Sequence, residues 1–378
     1  MLKSEINEVK KQFADQYCTI SKIAGCYVGG EKNKITTFKE AFLSLDEGDA
    51  TRYFQILRKG LSGTISKQIY TLDFPLESEF NDGAQTFLLK LRDSHLEDDD
   101  LIDEFYDKII DLYPYPQNYL ILLVDCSYDV PGKTKDGLAM EDSSNEVYHY
   151  IYCTLCPVKQ SKPSLSYLPT ENLFQNKLSD WVVDAPLNAF LFPAFEDRSS
   201  DLHKCLYYAK DEKSYFADFA YEMLACVLPL SSKVQKESFQ SILFETLGDE
   251  ASLSSIKQVH ENLNEILDEV DDGDIPPTLR KEDLKIVFEK SGVSNEQLEN
   301  FDECFDTAIG SDATLDIINI TETKKFEVKT PDVSIKLNAD CSDLIETKTI
   351  DGKTYLMIEV SNHIEVNGIP LIKPTLLE

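Results

Sequence analysis

The clearest hydrophobic pattern in the chain is a series of short apolar runs in its N-terminal half. Tyr119 to Cys126 reads YLILLVDC, and its continuous apolar character predicts a buried strand. Val147 to Val158 has the composition of an antiparallel neighbour, which a polar loop at 129–146 connects to the first strand. Ile20 to Val28 and Ile35 to Phe38 predict a hairpin. Together these runs predict a mainly antiparallel sheet.

A second pair of strands is predicted around the sequence AFLFPAFEDRSSDLH. The residues Ala189–Phe195 and His203–Ala209 are apolar enough to be core strands, and the segment EDRSSD would form the loop between them. Helical periodicity surrounds the predicted strands at residues 1–17, 49–61, 84–92 and 101–113.

From Ser214 onward the spacing of apolar residues becomes helical, and it includes a helical hairpin at 279–308. Ser294 and Gln297 form a capping-box pair, which predicts that the second helix of this hairpin begins at Ser294. After Gly310 the pattern alternates in LDIINI, FEVKT, VSIKLN, IETKTI and TYLMIEV, which predicts strands. Asp351-Gly352 between two of these segments is typical of a type I′ hairpin turn.

These patterns predict an α+β protein with three parts. Residues 1–212 would form a mixed domain around a mainly antiparallel sheet, and residues 213–310 an acidic helical region. Residues 311–378 would form a small C-terminal antiparallel β unit.

The charge of the chain bears on which partners we expect, and not on the fold. The 378 residues include 68 acidic and 37 basic side chains, and the resulting net charge of −31 disfavours direct binding to nucleic acid or to an anionic membrane. Residues 245–312 alone hold 19 acidic and 5 basic side chains. This segment is either a surface for basic, chromosome-associated or other proteins, or simply a solvated helical face.

The expected compartment is the cytoplasm. The charged N-terminal residues have no apolar signal core, and no apolar run approaches the ~18–20 residues of a membrane span. The nine cysteines are expected to be reduced and mostly buried. Cys153 and Cys156 match C-x-x-C, but their predicted strand directs them to opposite faces, which favours core packing over redox or zinc chemistry. No cofactor, metal or catalytic set is predicted.

The best candidates for ligand binding follow the apolar run that ends at Phe195. Asp197, Arg198, Asp201 and His203 supply carboxylate, guanidinium and imidazole groups, and Arg198 could bind a phosphate or carboxylate. Lys159 and Lys162 are the nearest basic residues to a cluster and are included as candidate ligand contacts. The alternative is a connecting loop whose Asp and Ser side chains bond to their own backbone.

Three sequence segments carry a resemblance to a known family: GCYVGGEKNKITTFKEAFLSL, CPVKQSKPSLSY and FLFPAFEDRSSDLH. They resemble a bacterial domain-of-unknown-function family found mainly in Gram-positive anaerobes, over nearly the whole chain. That resemblance implies no activity and no catalytic residues. The order of elements is also similar to bacterial nucleoid-associated proteins of the NdpA type.

The leading hypothesis is therefore a cytoplasmic, non-enzymatic interaction protein. The resemblance in element order implies a nucleoid association, and the net charge implies that protein partners rather than DNA contacts would mediate it. One alternative is a small-ligand-binding protein or enzyme that uses the Asp197–His203 loop. A further alternative is an acidic mimic of DNA.

Overall fold

An eight-stranded sheet forms the centre of the N-terminal half. The computed structural model describes residues 1–76, 83–133, 139–248, 251–270, 275–321, 325–360, 364–366 and 368–371. Its strands are β1 Ile20–Val28, β2 Lys34–Ala41, β3 Ile69–Asp73, β4 Tyr119–Lys133, β5 Ala139–Gln160, β8 Trp181–Val183, β9 Asn188–Phe192 and β12 Lys204–Ala209. Every adjacent strand pair in this sheet is antiparallel, in the order β2-β1-β4-β5-β9-β12-β3, with β8 beside β5. The remaining strands of this half form two-stranded hairpins: β6 Ser164–Leu168 with β7 Leu173–Lys177, and β10 Ala194–Glu196 with β11 Ser199–Asp201.

Helices cover both faces of the sheet, which explains the continuous apolar run in β4. Ile121 and Leu123 are buried in one cluster and Leu122 and Val124 in another, because successive side chains point to opposite faces. One cluster includes residues of α3 Ala84–Asp93, α4 Asp99–Leu112 and α5 Ala217–Leu224, and the other includes residues of α1 Lys3–Lys11 and α2 Glu47–Gly60. The α+β class is confirmed.

Helix α2 approaches the sheet closely at its last residue. The hydroxyl of Tyr152 on β5 donates a hydrogen bond to the carbonyl of Leu57 at 3.0 Å. A Cβ atom at Gly60 would meet that hydroxyl and would lie 2.9 Å from the Cβ of Ala189. The absence of a side chain at Gly60 therefore permits this packing distance.

The structure corrects the predicted loop EDRSSD. β9 and β12 pair as expected, but β10 and β11 form a short hairpin between them. Asp197 and Arg198 occupy its turn with φ angles of 48° and 62°, the left-handed geometry of a type I′ turn. Neither residue is the glycine that usually signals such a turn, which is why the sequence pattern missed it.

The chain divides into two compact units, and the three-part division at residues 212 and 310 stays a prediction. One unit is formed by Met1–Ser231 and the other mainly by the residues from Ser232 onward. α5 belongs to the first unit because Phe219 and Met223 are buried in the core beside the sheet.

The second unit begins with helices that share one apolar core. Phe239, Val259, Leu263 and Phe288 are among its buried residues. The hydrogen bonds of the capping box form, because the Ser294 N–H donates to Gln297 Oε1 at 2.9 Å and the Gln297 N–H donates to Ser294 Oγ at 3.3 Å. The predicted helix start at Ser294 is wrong, however, since this pair leads into a 3₁₀ turn at Gln297–Asn300 and the α-helix begins only at Phe301. The helices are α6 Ser232–Leu247, α7 Leu253–Asp268, α8 Lys281–Lys290, α9 Phe301–Ile309 and α10 Ile317–Ile320.

The described C-terminal strands form separate antiparallel two-stranded ladders. LDIINI is not the strand that its alternation predicted: only Leu315–Asp316 is extended, and α10 follows it because Ile317 and Ile320 both reach the core at helical spacing. The type I′ turn at Asp351-Gly352 is confirmed by φ angles of 51° and 76°. The pairs are β13 Thr278–Leu279 with β14 Leu315–Asp316, β15 Lys325–Lys329 with β16 Ser334–Asn338, β17 Ile345–Ile350 with β18 Lys353–Ile358, and β19 Ile364–Val366 with β20 Ile369–Leu371.

Two further expectations concern cysteine chemistry and membranes. All nine cysteines are free thiols, and Cys153 and Cys156 are buried in different core clusters, as the strand assignment predicted. In the part of the chain that the structure describes, no helix combines the length and apolar character needed to cross a membrane.

Candidate functional site

Arg198, the strongest sequence candidate, is held by α1 and by β4. Its Nη1 donates to both carboxylate oxygens of Glu8, at 3.1 and 3.0 Å, and its Nη2 donates to the carbonyl of Pro131 at 2.7 Å. The hydroxyl of Tyr128 donates to the same Glu8 carboxylate at 2.8 Å. The backbone N–H of Asp197 donates to Glu5 Oε1 at 2.8 Å. The turn is thus fastened to α1, and an anionic ligand would have to compete with Glu8 for Arg198.

The polar residues beside Arg198 also bond to other groups of the protein. Asp201 Oδ1 accepts a hydrogen bond from the backbone N–H of His203 at 2.9 Å. Burial disfavours the charged form of Glu196, but hydrogen bonds from Lys204 at 2.5 Å and from the amino group of Met1 at 2.6 Å outweigh it and lower the pKa of Glu196.

A depression of about 310 Å³ does lie beside this hairpin. Asp197, Asp201 and His203 contribute to its wall together with Glu196 and serines, whereas the Arg198 guanidinium faces Glu8 instead. Its wall is therefore rich in carboxylates and lacks the guanidinium that was expected to bind an anion. A ligand-binding role for these residues stays a prediction.

Lys159 and Lys162 lie far from the hairpin. The backbone N–H of Ser200 donates to Glu146 in the first half of β5, whereas Lys159 is near the other end of that strand, roughly 40 Å further along it. Lys159 forms an ion pair with Asp184 at 2.9 Å, and Lys162 is exposed. The structure therefore brings Asp197, Asp201 and His203 together but not the two lysines.

The first unit contains a polar cluster that the sequence did not indicate. The buried carboxylate of Asp125 accepts a hydrogen bond from the Ser21 hydroxyl, and its Oδ1 lies 3.4 Å from Nδ1 of His95, without hydrogen-bond geometry. The rings of His95 and His149 are 5.4 Å apart. These residues come from distant positions in the chain, so no local motif could reveal them. Among the described residues, no group of three or more His, Cys, Asp or Glu side chains could hold a metal ion.

A second concave feature lies within the second unit, between α6, α7 and the hairpin β15–β16. This opening of about 690 Å³ is here called the lysine-rimmed groove. Its apolar lining comes mainly from α6, α7, α10 and β15, and includes Leu243, Phe244, Leu247, Leu253, Ile256, Ile320, Phe326 and Val328. Phe244 is 70% exposed, an unusual state for a large aromatic side chain. Because Phe244 lies outside the buried stripe of α6, it was the one signal in the sequence that could have indicated this surface.

Lysines surround the apolar lining. Lys236, Lys257, Lys325, Lys329 and Lys336 contribute to the groove, against the carboxylates of Glu261 and Glu327. The groove is therefore locally basic within a chain whose net charge is −31.

Local ion pairs hold part of this rim in place. Hydrogen bonds from Lys329 at 3.0 Å and from Lys336 at 3.2 Å lower the pKa of Glu327 to about 2, so this carboxylate stays charged and fixes both lysines. Lys257 pairs with Asp343 and with Glu261. Lys325 is exposed and makes no ion pair with any residue that the structure describes.

Comparison with known proteins agrees with the resemblance carried by the three sequence segments. No curated protein matches the chain. The model of one family, described as a domain of unknown function and designated DUF4317, matches residues 1–369. Because that match covers nearly the whole chain, the protein belongs to the DUF4317 family.

Proposed function

We propose that the protein is a cytoplasmic interaction protein, and that its second unit binds a partner protein through the lysine-rimmed groove. The observation that carries this proposal is the exposed Phe244 on an apolar surface bounded by lysines. An exposed apolar patch with a polar rim is the usual form of a protein-binding surface. The cytoplasmic location in this proposal is the one that we infer from the sequence.

Photo-crosslinking in cells tests this proposal. A benzoylphenylalanine at position 244 is expected to form discrete protein adducts, whereas the same residue at position 174 is not. Phe174 is a matched control because it is 67% exposed and lies on β7 of the first unit. Equal adduct patterns at the two positions would contradict an interaction through the groove.

A basic, chromosome-associated partner is the second candidate, and it concerns a different surface. The acidic side chains Asp302, Glu303 and Asp306 of α9 are all exposed, as are Glu282 and Glu289 of α8. Exposed carboxylates on neighbouring helices attract basic proteins at long range. Failure of a pull-down from native lysate to recover any basic protein would count against nucleoid association.

A further inference from the structure

The shape of the lysine-rimmed groove limits what can occupy it. α6 contributes residues from Lys236 to Leu247 and α7 from Leu253 to Asn264, so each helix lines the groove over about 16 Å. This is the length of three helical turns. The lining side chains recur at intervals of three and four residues, which leaves an elongated trough rather than a closed cavity.

The charges of the groove determine whether an acidic or a basic segment can bind there. A basic segment would be disfavoured, because the five lysines of the groove outnumber the lining carboxylates Glu261 and Glu327 together with Asp343, which pairs with Lys257. An acidic segment would meet Lys325, which has no ion pair with a described residue, together with Lys329 and Lys336, which are 67% and 62% exposed. The apolar lining in turn requires an occupant with an apolar face.

From this combination we infer that the lysine-rimmed groove binds an acidic amphipathic helix of a partner protein. The inference rests on the proposed function and specifies the chemistry of the partner. Such a helix would place apolar side chains at i, i+3 or i+4 and i+7 against Phe244, Ile256 and Val328. Its acidic flanks would lie beside the lysines. A lipid-like anion is the less suitable occupant, because small-ligand sites usually enclose most of the ligand surface and Phe244 is largely open to solvent.

Peptide binding to the full-length chain tests the inference. The probe is a fluorescent peptide of about 14 residues, which spans about 21 Å as a helix, with a leucine stripe and glutamates on both flanks. A charge-swapped peptide has lysine in place of every glutamate, and a scrambled peptide keeps the composition without the stripe. We expect the acidic peptide to bind at least about tenfold more tightly than either control peptide in an anisotropy titration, a difference of one decade in Kd.

Variants of exposed residues test whether the peptide binds in the lysine-rimmed groove. Phe244→Ser should lower the affinity for the acidic peptide about tenfold, while Phe174→Ser should leave that affinity unchanged. The variant carrying both Lys325→Glu and Lys329→Glu should no longer bind the acidic peptide and should gain affinity for the charge-swapped peptide. These side chains are exposed, so loss of folding should not accompany the substitutions.

Three results would overturn the inference. One is equal or tighter binding of the charge-swapped peptide, and another is an affinity that Phe244→Ser does not change. The third is binding of dodecanoate, lost in Phe244→Ser, with no binding of the acidic peptide; the groove would then accept a lipid-like anion. If position 244 still crosslinks to proteins in cells, the proposed function stands and only the acidic helix is wrong.

Discussion

Arg198 illustrates at the scale of single residues how a reactive side chain can have a structural role. Its left-handed backbone conformation costs about 1–2 kcal/mol for a residue other than glycine. Charge-assisted hydrogen bonds to Glu8 and a bond to the Pro131 carbonyl offset that cost. The residue types were evident in the sequence. Their partners were not, because Glu8 and Arg198 are 190 positions apart and no local pattern relates them.

A double-mutant cycle tests the pairing of Glu8 and Arg198. Glu8→Ala and Arg198→Ala should each lower the free energy of unfolding by about 1–3 kcal/mol, since each removes the two hydrogen bonds between the charged side chains. The double variant should lose less than the sum of the two, with a coupling energy of at least about 0.5 kcal/mol in urea denaturation.

Lys162→Ala is the control for that cycle, and it should change stability by less than about 0.5 kcal/mol because Lys162 is exposed. Unchanged stability in Arg198→Ala would contradict the structural role and would favour the predicted ligand contact instead.

At the scale of elements, the predictions succeeded where apolar periodicity was strong. The strand at Tyr119–Cys126 and its neighbour are confirmed as β4 and β5, because both faces of the sheet are covered by helices and both therefore had to be apolar. LDIINI failed because four apolar residues within six fit both an alternating and a helical pattern. The helix forms because it buries both Ile317 and Ile320 in the same core.

Two glycines of α2 provide a matched test of the helix–sheet packing. Gly60→Ala should destabilise the protein by about 1–3 kcal/mol, because the new methyl group would displace the buried Tyr152 hydroxyl or Ala189. At Gly48, in the same helix, no atom lies within 4 Å of an added Cβ, so Gly48→Ala should stabilise the protein by about 0.5–1 kcal/mol. Thermal or urea denaturation measures both effects. A stabilising Gly60→Ala would show that α2 is not held at this distance.

At the scale of the whole molecule, the α+β class and the family could be predicted, but the groove could not. Its walls come from residues 236–264 and 320–342, and only the tertiary packing of the second unit brings these segments together. The local excess of lysine was hidden in the sequence, because the segment 245–312, which contains part of the groove wall, is strongly acidic overall.

The division into two compact units predicts separate responses to core substitutions. Phe105 and Phe288 are each fully buried, in the cores of the first and second unit respectively. Phe105→Ala and Phe288→Ala should each lower the stability of their own unit by about 3–5 kcal/mol. Hydrogen exchange followed unit by unit should show faster exchange only in the unit that carries the substitution. Equal acceleration in both units would mean that they unfold as one.

The basic groove in an acidic molecule has a kinetic consequence. At long range the net charge of −31 slows the encounter with an acidic helix, while at contact the lysines prolong the residence of that helix. Added salt shortens the Debye length and weakens both effects, so it accelerates association and dissociation together. The partner would then exchange rapidly at high ionic strength, and its occupancy would change less than either rate constant.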